Sequence, residues 1–252
     1  TSAVSYLYYA DRIYQINLAI AGIAVGTVSL PILSKALKRK NFLIISKIQN
    51  RSLELSLLLS IPASLGLIIA SEQIVNSLFG YGSFSEKDIE ITASALKYFA
   101  YGVPAFALIK VLSNFFFARD NTKTPFNLSL FVVTLNIAIS LIFFKEVGFI
   151  IIPIATSVST WIGVILYFIL LMKNKSLIIE PRLLKSTVKI IFSVVLMSIV
   201  LVYGIDYFEE SLGYSNKFKS IYLLFIISFV ATIYLISCYL SGALKVINYK
   251  VN

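Results

Sequence analysis

Five charged residues of this 252-residue chain, Asp11, Arg12, Glu54, Lys97 and Lys110, fall inside or at the edge of long apolar stretches. A charge at the centre of a bilayer costs several kcal/mol, so each needs a partner, a hydrated cavity or a route to the interface. Asp11 and Arg12 are sequence neighbours, and on a helix their side chains point about 100° apart, so they make a poor self-neutralising pair. Arg12 therefore calls for an acceptor on another helix or an anion in a water-filled cavity. A guanidinium stays charged and presents a planar fork of donors that matches phosphate oxygens. The other reading of Arg12 is an interfacial anchor at a helix end. Lys110 sits about 13 residues, or roughly 20 Å at 1.5 Å per residue, inside the start of its apolar run. It either faces a cavity or snorkels towards the end marked by Arg119. Glu54 follows Arg51 by three residues, which predicts a local i, i+3 ion pair. Lys97 lies near the end of its run and reads as a snorkelling residue.

Other chemistries lack their residues. The chain has no histidine, one cysteine (Cys238) and one tryptophan (Trp161). A histidine-based triad, a Cys/His zinc site and a disulfide framework are excluded, and no cofactor or catalytic site is expected. Cys238 lies in an apolar run and reads as a small packing residue. The net charge of +10 does not indicate nucleic acid, because the basic residues are spread over short connectors and form no basic domain.

The elements that position these charges follow from hydropathy. Apolar residues make up 58% of the chain and charged ones 13%, against about 25% charged in soluble domains, and mean hydropathy is +0.89. The expected fold class is all-α, a polytopic transmembrane bundle. Seven spans are predicted, over 3–34, 52–70, 94–118, 125–144, 147–172, 188–206 and 219–241. Each is helical because lipid-facing backbone must satisfy its own hydrogen bonds. Connector charges alternate. One set of ends carries Lys35, Lys38, Arg39, Lys40, Lys47, Arg119, Lys123, Lys173, Lys175, Arg182, Lys185, Lys189, Lys245 and Lys250, with only Asp120 and Glu180 as acids. The opposite ends carry Lys87, Lys145, Lys217 and Lys219 with eight acids. This bias places the first set, and the C-terminus, in the cytoplasm. Thr1 runs straight into apolar sequence with no charged leader, so the chain reads as one cut from a longer protein.

Local signals refine the bundle. Ser85-x-x-Asp88 resembles a capping box, and Thr124-Pro125 offers an N-cap followed by an N1 proline. Pro62, Pro104 and Pro153 lie within or at the start of spans, where neighbours must supply donors for the freed carbonyls. Gly22-x-x-x-Gly26 allows close helix approach or simply marks small residues in a crowded bundle. Segment 176–189 is amphipathic and is expected to lie along the cytoplasmic interface before the sixth span.

Three stretches resemble the MurJ/MviN family of the multidrug, oligosaccharidyl-lipid and polysaccharide exporter superfamily. They are Tyr8-Tyr9-Ala10-Asp11-Arg12 continuing through Gly22–Thr27 to Leu30-Pro31-Ile32-Leu33-Ser34; Leu78-Phe79-Gly80-Tyr81-Gly82-Ser83-Phe84; and Lys110-Val111-Leu112 with Phe117-Ala118-Arg119-Asp120-Asn121-Thr122-Lys123-Thr124-Pro125. Their order and spacing match the family. Asn17 stands where a proline is usual, and Asn121 where an acidic residue is common.

The resemblance implies half of a fourteen-helix transporter, with this chain similar to helices eight to fourteen. It implies flipping of lipid II, the undecaprenyl-pyrophosphate-linked peptidoglycan precursor, across the bacterial inner membrane by alternating access. The N-terminal half and membrane lipid are the implied partners. Residues 1–172 would line the central cavity, and 173–252 would add an interfacial segment and two helices forming a lipid-tail groove. Carried over by position, Arg12 and Ser5 match cavity residues and Asp11 belongs to the same motif; Lys110 joins them as a substrate-binding candidate. Alternatives are a related exporter of other lipid-linked glycans or drugs, and a proton-conducting subunit using Lys110 and Glu54 as relay groups.

Overall fold

The computed structural model describes residues 2–19 and 24–246. They form α1 (Ala3–Leu18), α2 (Ala24–Lys38), α3 (Phe42–Ile69), α4 (Ser71–Phe79), α5 (Glu86–Ala100), α6 (Val103–Phe117), α7 (Lys123–Val147), α8 (Ile151–Lys173), α9 (Pro181–Tyr207), α10 (Glu209–Leu212) and α11 (Lys219–Ser241). Five described stretches are long and apolar enough to cross a membrane, and the one over Lys123–Lys173 holds two helices, α7 and α8, joined by the 3₁₀ turn Gly148–Ile150. The all-α bundle is as the hydropathy requires. Three apolar clusters knit it together: one among α2, α3, α6 and α8, one where α9 and α11 meet α3, and one where α1 packs on α5.

Within the first expected span, 3–34, the described residues form α1 and most of α2, and residues 20–23 lie outside them. Helix α1 runs unbroken through Asn17, whose amide donates back to the Ile13 carbonyl at 3.1 Å. Gly22 lies outside the described residues. Gly26 does mark a close approach: a Cβ there would sit 3.3 Å from Asn114 Nδ2 of α6, which donates to the Gly26 carbonyl at 2.7 Å.

The expected 94–118 span starts earlier and is broken. The Ser85/Asp88 capping box is present and starts α5 at Glu86. The helix then breaks at Tyr101–Gly102, just before Pro104. Such a break frees carbonyls, and in lipid they must find donors. Ser64 of α3 donates to the Ala100 carbonyl at 2.7 Å, Ser157 of α8 to Tyr98 at 2.6 Å, and Trp161 Nε1 to Tyr101 at 2.9 Å. Gly102 gives α8 its room, since a Cβ there would meet Ser157 Oγ at 2.8 Å.

Pro62, inside α3, repeats the logic. Proline has no N–H for the carbonyl four residues back. That carbonyl, Leu58 O, instead accepts from Tyr234 Oη of α11 at 2.6 Å, and Tyr234 is buried. Tyr234→Phe should therefore cost about 1–3 kcal/mol by leaving a buried acceptor unpaired. In a Pro62→Ala background the new amide at position 62 can bond Leu58, so the same substitution should cost much less. Thermal unfolding of the two single variants and the double variant in detergent checks this; equal costs in both backgrounds would reject the coupling.

The lysine- and arginine-rich ends share one turn. After α2, α6 and α8 the chain makes the paired 6→1 and 5→2 backbone bonds of a Schellman turn, for example Asn41 N to Ala36 O and Lys40 N to Leu37 O. The left-handed residue, usually glycine, is Lys40, Asp120 and Lys175 in the three turns, with φ of 52°, 57° and 51°. Helix α7 begins at Lys123, two residues before the expected proline start. Thr122 is its N-cap residue, and Asn121 just before it supplies the side-chain acceptor, its Oδ1 accepting from Thr124 N at 3.0 Å. The cap needs only a side-chain oxygen, which asparagine supplies as well as an acid.

Segment 176–189 is not one element. Residues 176–180 are extended and pinned to α3: Gln49 donates to the Ser176 carbonyl at 3.0 Å, and Asn50 both donates to Ile178 O at 2.8 Å and accepts from Glu180 N at 3.0 Å. Arg182 to Lys189 are the first turns of α9, continuous with its apolar remainder. Glu54 has more partners than its local sequence offers. Its carboxylate turns across to α9, where Ser186 Oγ donates to it and Arg182 Nε lies 3.9 Å away. Glu54 is 4% exposed, and the Arg51 charge one turn back on its own helix, as expected, is joined by these partners on the helix packed against it.

Candidate functional site

Helix α1 buries Tyr6, Ala10, Ile13 and Tyr14 against its neighbours. The opposite face follows from the helical repeat. Ser5, Tyr8 and Arg12 succeed each other at spacings of three and four residues, so they stack on one side. Tyr8 and Arg12 are exposed and Ser5 half-buried. The Arg12 guanidinium lies over the Tyr8 ring, 4.8 Å from its centroid. It has no carboxylate within 4 Å among the described residues. Asp11 does not claim it, because Asp11 Oδ2 accepts from Gln15 Nε2 one turn on. Ser5 shares a hydrogen bond with Ser2 Oγ at 3.1 Å. The face thus presents a phenol, a hydroxyl and an unpaired guanidinium fork.

Lys110 is elsewhere. It is exposed on α6 and lines a cleft of about 820 Å³ between α2, α6 and α7, with Gly26, Asn114, Lys123 and Phe126. Among the described residues no hydrogen bond or ion pair joins it to Arg12. Glu54 lines different cavities from Lys110, so the two relay candidates do not share a path. Lys97 is exposed near the end of α5, but the apolar stretch runs from Glu86 to Phe117, so it lies inside that stretch and not near its end as expected.

A second, apolar feature lies between α9 and α11. Tyr203, Tyr207, Phe225 and Phe229 line a groove of about 630 Å³, and Gly204 lets the helices close, since a Cβ there would meet Ile226 Cγ2 at 3.2 Å. At the end richer in acids, Lys219 is fully buried, although hydropathy places it among surface charges. At the other end Arg119 is spent on structure. Its Nη1 donates to Phe115 O at 2.5 Å and its Nη2 to Ser176 O at 2.8 Å, while burial lowers its pKa from the ordinary value. Charge alternation in the sequence gives no sign of these carbonyl-bound cations, because their binding depends on which carbonyls the other segments bring.

Apolar helices of membrane-crossing length, with cationic side chains on an exposed helix face and in a cleft, define a polytopic α-helical membrane protein. The family model described as lipid II flippase MurJ matches residues 1–238, and the chain belongs to that family. It is 36% identical over 251 residues to a probable lipid II flippase MurJ of Rickettsia prowazekii, covering 98% of this chain and 48% of that protein. It is 34% identical over 246 residues to the one of Rhizobium tropici, covering 97% of this chain and 46% of the relative. A solved lipid II flippase MurJ in an inward closed conformation superposes with a TM-score of 0.75 at 30% identity, covering 94% of this chain and 47% of that one. The chain spans about half the length of the relatives it matches.

Proposed function

We propose that this chain is the C-terminal half of a transporter that flips lipid II across the bacterial inner membrane by alternating access. The observation that carries the reading is Arg12: an exposed guanidinium, without an ion pair among the described residues, on a helix of a chain whose relatives are named for lipid II flipping. In this reading Arg12 binds the pyrophosphate, with Ser5 on the same helix face and Asp11 beside it. Lys110 adds a second cation from the α6 cleft. The N-terminal half closes the cavity from the other side, because a pyrophosphate of two or more charges needs cations on facing helices. The apolar groove between α9 and α11 supports a role for residues 173–252 in holding the polyprenyl tail. The connector charges support a cytoplasmic C-terminus.

The test uses the full-length transporter in cells that depend on it. On depletion, lipid II should become inaccessible to an impermeant hydrolase added outside, and re-expression should restore cleavage. In the same cells, with Cys238 changed to serine, a cysteine replacing Ser85 should react with an impermeant thiol reagent and one replacing Lys40 should not. Unchanged cleavage on depletion rejects the flippase reading, and outside labelling at position 40 rejects the orientation.

A further inference from the structure

Where α9 begins and α11 ends, a crevice of about 400 Å³ is lined by Glu54, Arg182, Lys185, Ser186, Lys189, Gly242 and Lys245. Four cations face one carboxylate. That carboxylate is engaged by Ser186 and Arg182 and also feels the Lys189 charge, so one anion faces four cations and the crevice keeps a cationic surplus. Among the described residues Lys185, Lys189 and Lys245 make no hydrogen bond or ion pair. Two of them nevertheless converge. Gly242 adopts a left-handed conformation with φ of 77°, and a Cβ built there would lie 3.7 Å from Lys189 Nζ and 3.5 Å from Lys245 Cε. Glycine thus leaves an open floor between two ammonium-bearing chains that repel each other unless an anion lies between them.

The surroundings indicate the kind of anion. Val188 and Phe192 of α9, and Tyr239 and Leu240 of α11, are 66%, 65%, 75% and 78% exposed on the two helices that form the crevice. A phosphate in the crevice would have apolar helix surface beside it for acyl chains, which a soluble anion would leave unused.

We propose that this crevice binds the phosphate ester of an anionic phospholipid headgroup, held by Lys185, Lys189 and Lys245. It shares no lining residue with the α6 cleft or the Arg12 face, so it goes beyond the transport reading and can fail without it.

The test is native mass spectrometry of the full-length transporter in neutral detergent, titrated with phosphatidylglycerol, phosphatidylcholine or glycerol 3-phosphate. Wild type should hold one phosphatidylglycerol at least tenfold more tightly than phosphatidylcholine. K189Q/K245Q should weaken phosphatidylglycerol about tenfold or more per lysine, as for the loss of a charge-assisted contact. K189R/K245R should retain binding. Competition by glycerol 3-phosphate at similar concentration supports the phosphate site and assigns it to the free ester; absence of competition assigns it to the lipid. Equal binding of the two phospholipids, or an unchanged K189Q/K245Q, overturns the proposal. If that double variant does not fold, K185Q at the exposed rim applies the same criterion. Growth complementation by these variants reports separately on transport.

Discussion

Arg12→Ala in the full-length transporter is expected to abolish growth of a flippase-depleted strain while its level in the membrane fraction stays normal. Arg12 contributes nothing to the packed face of α1, and its contact with the Tyr8 ring is worth about 0.5–1 kcal/mol at an exposed site. Its removal should therefore leave insertion and folding intact and fall on the substrate. A charge-assisted hydrogen bond contributes about 1.5–3 kcal/mol, so losing one contact weakens binding roughly 10- to 150-fold. Arg12→Lys should also be badly impaired, because an ammonium keeps the charge but not the two-pronged donor geometry. Tyr8→Leu, which removes only the ring beneath the guanidinium, should be mild. An interfacial anchor would behave otherwise, since lysine snorkels as well as arginine. Full growth with Arg12→Lys at normal membrane level would reject the bidentate contact. Full growth with Arg12→Ala would reject the site.

The largest stability effect should come from Lys219→Met. The Lys219 ammonium donates to Asn76 Oδ1 at 2.9 Å, Gly80 O at 2.6 Å and Tyr214 O at 2.9 Å, which uses all three of its protons. The rings of Tyr81 and Tyr214 lie 4.3 Å and 4.9 Å from it. The acceptors come from α4, the turn after it and the segment before α11, so one cation ties three pieces together. Replacing a buried charge by an apolar group is often neutral when its partner charge leaves too. Here the partners are neutral oxygens that remain behind, each costing about 1–3 kcal/mol when buried and unpaired. The sum, about 3 kcal/mol or more, should lower the midpoint of thermal unfolding in detergent by about 6–12 °C on the scaling for chains of this size. Tyr81→Leu removes one ring face and should cost less, about 1 kcal/mol. A Lys219→Met variant as stable as wild type, or less affected than Tyr81→Leu, would show that the cage does not hold the fold.

That cage also explains a stretch whose order was plain in the sequence and whose purpose was not. Gly80 and Tyr81 belong to the Leu78–Phe84 stretch that resembles the family. The carbonyl of one and the ring of the other wrap Lys219, and a Cβ on Gly80 would lie 3.0 Å from the ammonium and 2.3 Å from Asn76 Oδ1. The Arg119–Pro125 stretch is likewise a turn: Arg119 binds carbonyls, Asp120 takes the left-handed position and Asn121 accepts from the Thr124 amide in the first turn of α7.

The sequence by itself determined the class of fold, because apolar runs near 20 residues in lipid admit only helices. It determined the α5 capping box and the need for donors opposite Pro62 and Pro104, because each is set by residues close along the chain. Only the tertiary structure decided which side chains answer the freed carbonyls: Tyr234 for Leu58, and Ser64, Ser157 and Trp161 around the α5–α6 break. It decided that Glu54 pairs across to α9, that Lys219 is buried, and that Lys189 and Lys245 meet over Gly242. Those contacts join residues as far apart as 176 positions, and nothing local encodes them. A charged or polar side chain in a helix bundle is satisfied by whatever the neighbouring helix presents at its height, and that height is set by how the helices pack.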